Sequence, residues 1–169
     1  MSPPAVLWRI ATDTPHYRSD DRSGKGAEMT GGRWNRMGTA MLYLSASRAL
    51  ACLETLVHFG VRTLPFNRYL IRVEVPARIW KDRVVFDPKA HVGWDAEPPG
   101  QVSLDWGTDW ARSMASLLAE VPSVIVPEES NVLLNPLHPR MRDVRVEKVR
   151  RWTYDVRLRP LEHGPVEPY

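Results

Sequence analysis

The 169-residue chain reads as an α+β protein, a single domain over residues 1–169 built on a mixed, partly split β-sheet flanked by helices. Three observations predict this. Several short apolar or alternating runs are separated by turn residues. Two stretches repeat apolar residues at helical spacing. These two fall between the strands without the strict alternation that a doubly wound sheet requires. The length and the 43% apolar content suit one hydrophobic core.

The first strand is Ala5–Ile10, AVLWRI, behind Pro3–Pro4. Arg9 interrupts its apolar pattern, so its side chain must find solvent, a partner or a polar pocket. Residues Ala11–Glu28 are polar and read as a loop. Gly31–Glu54, GGRWNRMGTAMLYLSASRALACLE, holds a glycine-arginine loop, a buried strand at Met41–Leu44 and a helix. Ser45 or Ser47 can cap that helix. Ala49, Leu50, Leu53, Leu56 and Val57 share one face over Ala49–Val57, and Glu54 lies at its border. On periodicity alone Glu54 is either half-buried and functional or a surface partner of an arginine.

Arg68–Val75 alternates as a strand and Pro76 closes it. Ala77–Gln101 reads as loop-rich, a possible lid or pocket wall. A second helix is expected at Asp109–Glu120, with Trp110, Met114, Leu117 and Leu118 on one face. Ser123–Val126 and Val132–Leu134 read as strands around a turn at Glu128–Asn131, and Val144–Leu158 as one or two antiparallel strands with a solvated face.

Composition excludes several classes. Net charge is +3 from 23 basic and 20 acidic residues, without the concentrated basic face of a nucleic-acid binder. The one cysteine, Cys52, rules out an internal disulfide or a cysteine-rich zinc site, and the five scattered histidines lack metal-binding spacing. There is no dinucleotide glycine fingerprint, P-loop or nucleophile elbow. No apolar run is long enough to span a membrane and no signal peptide is evident, so the cytoplasm is the expected compartment. Arginine, tyrosine, glutamate, serine and asparagine with glycine loops remain. Arginine forks grip phosphates, and a carboxylate stabilises an oxocarbenium-like state. The set suits cleavage of a glycosidic bond in a phosphorylated nucleoside.

The motifs carry a more specific signal. G-G-R-W-N-x-x-G, followed by L-Y-L-S-x-S and A-x-x-E-x-L-V-H, resembles the RES-domain family, and P-S-V-I-V-P-E-E-S-N-V-L-L-N-P-L-H-P resembles its second block. The blocks span about residues 8–58 and 121–139. The resemblance implies a fold similar to ADP-ribosyltransferases and a toxin of a bacterial toxin–antitoxin pair. It also implies NAD+ as substrate, cut between nicotinamide and ribose by hydrolysis or phosphorolysis, or used for ADP-ribosylation of a host protein. An Xre-type antitoxin is the expected partner, covering the active site; no metal, direct nucleic-acid contact or membrane is expected.

Carried over by motif, the family arginine falls on Arg33, the glutamate on Glu54, the tyrosine on Tyr43, and the serine on Ser123 in preference to Ser130. The early arginine falls on Arg9 and the asparagine of the N-P-x-H-P turn on Asn135. The implied roles are phosphate or ribose contacts from Arg9 and Arg33, and charge stabilisation by Glu54. Tyr43 packs on the nicotinamide end, and Ser123 donates a hydrogen bond to ribose or phosphate. Asn135 joins the NAD+-binding set. A non-catalytic module that keeps the pocket is the alternative from another class.

Overall fold

The computed structural model describes residues 2–59 and 64–158. Seven strands form one sheet: β1 (Ala5–Ala11), β2 (Leu42–Ser45), β3 (Tyr69–Val75), β4 (Val84–Val85), β5 (Leu118–Pro122), β6 (Ser130–Leu134) and β7 (Arg145–Arg151). Their order across the sheet is β4-β5-β6-β2-β1-β3-β7. All neighbours are antiparallel except β4 and β5, so the sheet is mixed. Four α-helices pack around it: α1 (Lys25–Thr30), α2 (Arg48–Leu56), α3 (Ala77–Lys81) and α4 (Gln101–Ser113).

The sheet is partly split, and the split lies between β1 and β2. These two share a single register pair, Trp8 with Ser45. From Arg9 to Ala11, β1 is paired only with β3, along a seven-residue ladder. The apolar layer on one side nevertheless runs across the split: Leu7 and Ala11 of β1 join Leu42 and Leu44 of β2, with Ile71, Val73 and Val132. Strand alternation puts their neighbours on the opposite side. There Leu133, Ala119 and Val121 meet an aromatic layer of Trp34, Phe86, Trp94 and Trp110. On the same side Trp8 and Ile10 meet Ala51 of α2.

The α2 helix starts one residue earlier than its sequence pattern predicts, with Ser47 as the cap: its side chain accepts from the Leu50 N–H at 3.1 Å. Ser45 is left for another task. The buried residues of α2 are Leu50 and Ala51, while Ala49 and Val57 face solvent. The inward face is therefore rotated so that Glu54, one turn beyond both, looks into the molecule.

Four expectations fail. The second helix is α4, Gln101–Ser113, not Asp109–Glu120. Its buried face is Ser103, Gly107, Thr108, Trp110 and Ala111; apart from Trp110 these are small or polar and leave little apolar signal. It stops where Met114 adopts the left-handed conformation (φ 56°), and Leu118 then opens β5. Ser123–Val126 is a turn, not a strand. The Ser123 hydroxyl accepts both the Ile125 and Val126 N–H groups at 3.1 Å, removing donors a ladder would use. Finally, Ala77–Gln101 contains α3 and β4 as well as loop, and the expected polar loop before Gly31 contains α1.

Candidate functional site

Register brings the first group together. Ser45 of β2 stands opposite Asn131 of β6, and in antiparallel strands opposed residues share a face. The Ser45 hydroxyl donates to Asn131 Oδ1 at 2.8 Å. The Asn131 amide Nδ2 in turn donates to Glu54 Oε1 at 2.5 Å, and the Ser123 hydroxyl donates to the same oxygen at 2.7 Å. Two segments thus converge on one carboxylate carried by α2, with Ser45 of β2 behind Asn131.

The hydrogen-bond inventory of this group is informative. Ser123, fully buried, spends its only proton on Glu54 and accepts two backbone N–H groups. It has nothing left to donate to a ribose or phosphate, so its contribution is to aim Glu54. Glu54 Oε1 receives two donors, whereas Oε2 makes no hydrogen bond among the described residues. Glu54 is half-buried. The result is a fixed carboxylate with one oxygen spare.

The second group is built by the Gly31–Gly38 loop. The Tyr43 hydroxyl donates to Asn35 Oδ1 at 2.6 Å and accepts the Trp34 N–H at 3.0 Å. Burial pushes its pKa well above the ordinary tyrosine value, although nearby Arg33 pulls the other way. The phenol therefore stays neutral and remains a donor. Asn35 is fully buried and uses its amide on the Ala27 and Thr39 carbonyls at 2.8 and 2.9 Å. Gly32 is required here: a Cβ at that position would stand 2.6 Å from the Tyr43 hydroxyl. Trp34, 3% exposed, anchors the loop by stacking on Trp94, with centroids 6.0 Å apart. Arg33 projects from this turn, with Nη1 donating to the carbonyls of Trp94 and Ala96 at 3.3 and 2.7 Å and Nη2 to Glu97 at 2.7 Å.

Tyr43 and Ser45 lie two residues apart on β2, hence on one side of the sheet and roughly 7 Å apart along it. The loop that carries Arg33 and the glutamate group are thereby anchored on the same side of the sheet. Arg9 is placed differently. Alternation sets it with Leu7 and Ala11, on the side opposite Trp8 and Ser45, at the unpaired margin of the split. It makes no hydrogen bond or ion pair among the described residues. Burial lowers its pKa against the opposing influence of Asp21 and Tyr17. A half-buried guanidinium without a hydrogen-bonded partner among the described residues is suited to an anion, but it lies on the side of the sheet opposite Ser45 and Asn131.

Asn135 belongs to neither group. It is 1% exposed; its amide donates to the Ala111 carbonyl at 2.7 Å and its side-chain oxygen accepts the Leu137 N–H at 3.1 Å. It joins the end of α4 to β6 and has no contact with the Glu54 group. Sequence reasoning missed Asn131 and the role of Ser45. Their signal was present, since the second block spells E-E-S-N before an apolar run, but the pairing of β2 with β6 was not legible.

Fold and site together define a class: an α+β protein presenting an aimed carboxylate and an arginine on a loop anchored to the same side of a split sheet. Residues 6–157 match the RES domain model, and the chain belongs to the RES domain family. It is 53% identical over 153 residues to a protein named Prs ADP-ribosylating toxin from a Sphingobium strain, covering 90% of this chain and 95% of that one. It is 38% identical over 134 residues to a protein named Toxin Res from Yersinia enterocolitica, covering 79% of this chain and 85% of that one. A Toxin Res of Pseudomonas putida is 32% identical over 155 residues, covering 90% and 99%.

Proposed function

We propose that this protein is an NAD+-consuming toxin that breaks the bond between nicotinamide and ribose. The observation that carries the reading is the state of Glu54: Ser123 and Asn131 hold one oxygen, and the other is unbonded among the described residues. As the bond breaks, its electron pair leaves with nicotinamide, and positive charge develops on the ribose. A carboxylate aimed in advance stabilises that charge and accepts a hydrogen bond from a ribose hydroxyl without reorganising. Arg33 supplies the cation for the pyrophosphate. Arg9, at the split, is a second candidate for it, and the Tyr43 ring forms part of the floor between the two groups. Asn135 supports the fold and not the ligand.

Water or phosphate then adds to the ribose carbon, and growth arrest follows from loss of NAD+. A second reading has its own support: the relative that is 53% identical is named an ADP-ribosylating toxin, so a protein side chain is the alternative acceptor. We further propose that an Xre-type antitoxin pairs with the protein and covers this face; the support is that relatives are named toxins.

The test is release of nicotinamide from NAD+ by the purified protein, with and without inorganic phosphate, against Glu54→Gln. That change removes the charge and keeps the shape. Release by the parent and a loss of about a hundredfold or more in the variant is the expected result, about what one preorganised electrostatic contact contributes. Retention of full activity by the variant refutes the assignment of Glu54. Release only when host lysate is present, with label transferred to a protein, selects the second reading.

A further inference from the structure

We propose that Glu97 sets the protein's affinity for NAD+ by holding the edge of Arg33 that a substrate phosphate must take. The inference rests on the NAD+ reading above. It starts from the geometry of the guanidinium, a planar fork with five N–H donors. Nη1 is committed to two main-chain carbonyls, those of Trp94 and Ala96. Nε makes no hydrogen bond among the described residues, and Nη2 has one acceptor, the Glu97 carboxylate at 2.7 Å. Nε and Nη2 form the side-on edge of the fork, whose two parallel N–H bonds match two oxygens of a phosphate. The edge left for substrate is therefore the edge on which Glu97 sits.

Exposure is uneven across this pair. The Arg33 side chain is 16% exposed and the Glu97 side chain 76%. A hydrated carboxylate gives up little on swinging away, whereas the sheltered guanidinium gains a second hydrogen bond from a phosphate. Ion pairs with so exposed a partner are weak, so displacement is within reach of a ligand. The backbone need not follow. Trp94 is buried and stacked on Trp34, which keeps the two carbonyls on Nη1 while the Glu97 side chain leaves. Glu97 and a phosphate cannot share the edge, because their like charges repel.

The experiment compares wild type, Glu97→Gln, Arg33→Gln and the double variant, using calorimetric Kd values for NAD+ and for inorganic pyrophosphate. Glu97→Gln is expected to tighten both ligands by about three- to tenfold, the size of a modest exposed charge interaction. In the Arg33→Gln background the same change should give no gain, which a merely structural role of Glu97 would not produce. Unchanged or weaker binding in Glu97→Gln, with a wild type that binds NAD+, overturns this proposal and leaves the functional reading intact. A wild type that does not bind NAD+ overturns the functional reading. In that event tighter pyrophosphate binding by Glu97→Gln still supports the Arg33 competition, and no binding of either ligand by either protein overturns both.

Discussion

Two donors fix one oxygen of Glu54, and Ser123 is the more demanding of them because its hydroxyl serves three partners at once. Ser123→Ala removes a hydrogen bond to a charged group, worth about 1.5–3 kcal/mol. On the proposed function, if that contact matters fully in the transition state, kcat falls about ten- to hundredfold, while an aiming role leaves KM for NAD+ little changed. Steady-state kinetics beside a thermal melt separate this from unfolding; a KM effect alone would contradict the aiming role. Residues of this kind are unequally legible in sequence. Arg33 and Glu54 were visible because each sits in a distinctive local motif. Asn131 and Ser45 were not, because their contact depends on which strands pair and in what register. Arg9 was visible as an oddity inside an apolar strand, yet the side of the sheet it occupies follows only from the Trp8–Ser45 pair. Ser123 was legible by motif, but its donation to Glu54 was not, since a hydroxyl's single proton can be assigned only when its neighbours are known.

At the scale of elements, α4 shows why a buried helix can escape its own pattern. Apart from Trp110 its inward face is small, and at Gly107 it lies against the main chain of the Arg33 loop. A Cβ at Gly107 would stand 2.0 Å from the Trp34 carbonyl oxygen, closer than any contact allows. The same loop is tied to α4 by the Arg36 N–H, which donates to Thr108 Oγ1 at 3.0 Å. Gly107→Ala must therefore push helix and loop apart. Overpacking of this kind costs about 1–3 kcal/mol or more, and in a protein of this size each kilocalorie shifts the melting temperature by about 2–4 °C. Scanning calorimetry should show the drop. Near-ultraviolet circular dichroism should change with it, because Trp34 couples to Phe86, Trp94 and Trp106. A variant with parental melting and spectrum would mean that the helix sits further from the loop than described. The pattern Trp110, Met114, Leu117 and Leu118 fits helical spacing only by coincidence, since Met114 ends the helix and Leu118 begins a strand.

Across the whole molecule the α+β class and the partial split were legible, because strand and helix signals fail to alternate and no doubly wound order fits them. The strand order was not, as it depends on contacts between β2 and β6 far apart in the chain. One half of the sheet, β1-β3-β7, is closed by a charged tie at the exit of β1. Asp13 accepts the Ser19 N–H at 2.7 Å and the Lys148 ammonium at 3.0 Å, while its carbonyl accepts the Asn67 amide at 2.7 Å. The Ser19 backbone hydrogen bond, followed by Lys148, lowers the Asp13 pKa to about 2 from its ordinary 3.8. A carboxyl group whose pKa is depressed on folding adds stability that is fully present above the unfolded value and disappears as pH falls through the folded value. The contribution of Asp13 should therefore be constant at neutral pH, decline below about pH 4 and vanish near pH 2. Asp13→Asn keeps a hydrogen-bond acceptor and removes the charge, so it should melt below the wild type at pH 7. The two curves should then converge in acid, where both side chains are neutral. Melting temperatures of the pair between pH 7 and pH 2 test this directly. A gap that stayed constant to the lowest pH would show that Asp13 acts through its shape and hydrogen bonds, with no part played by its charge.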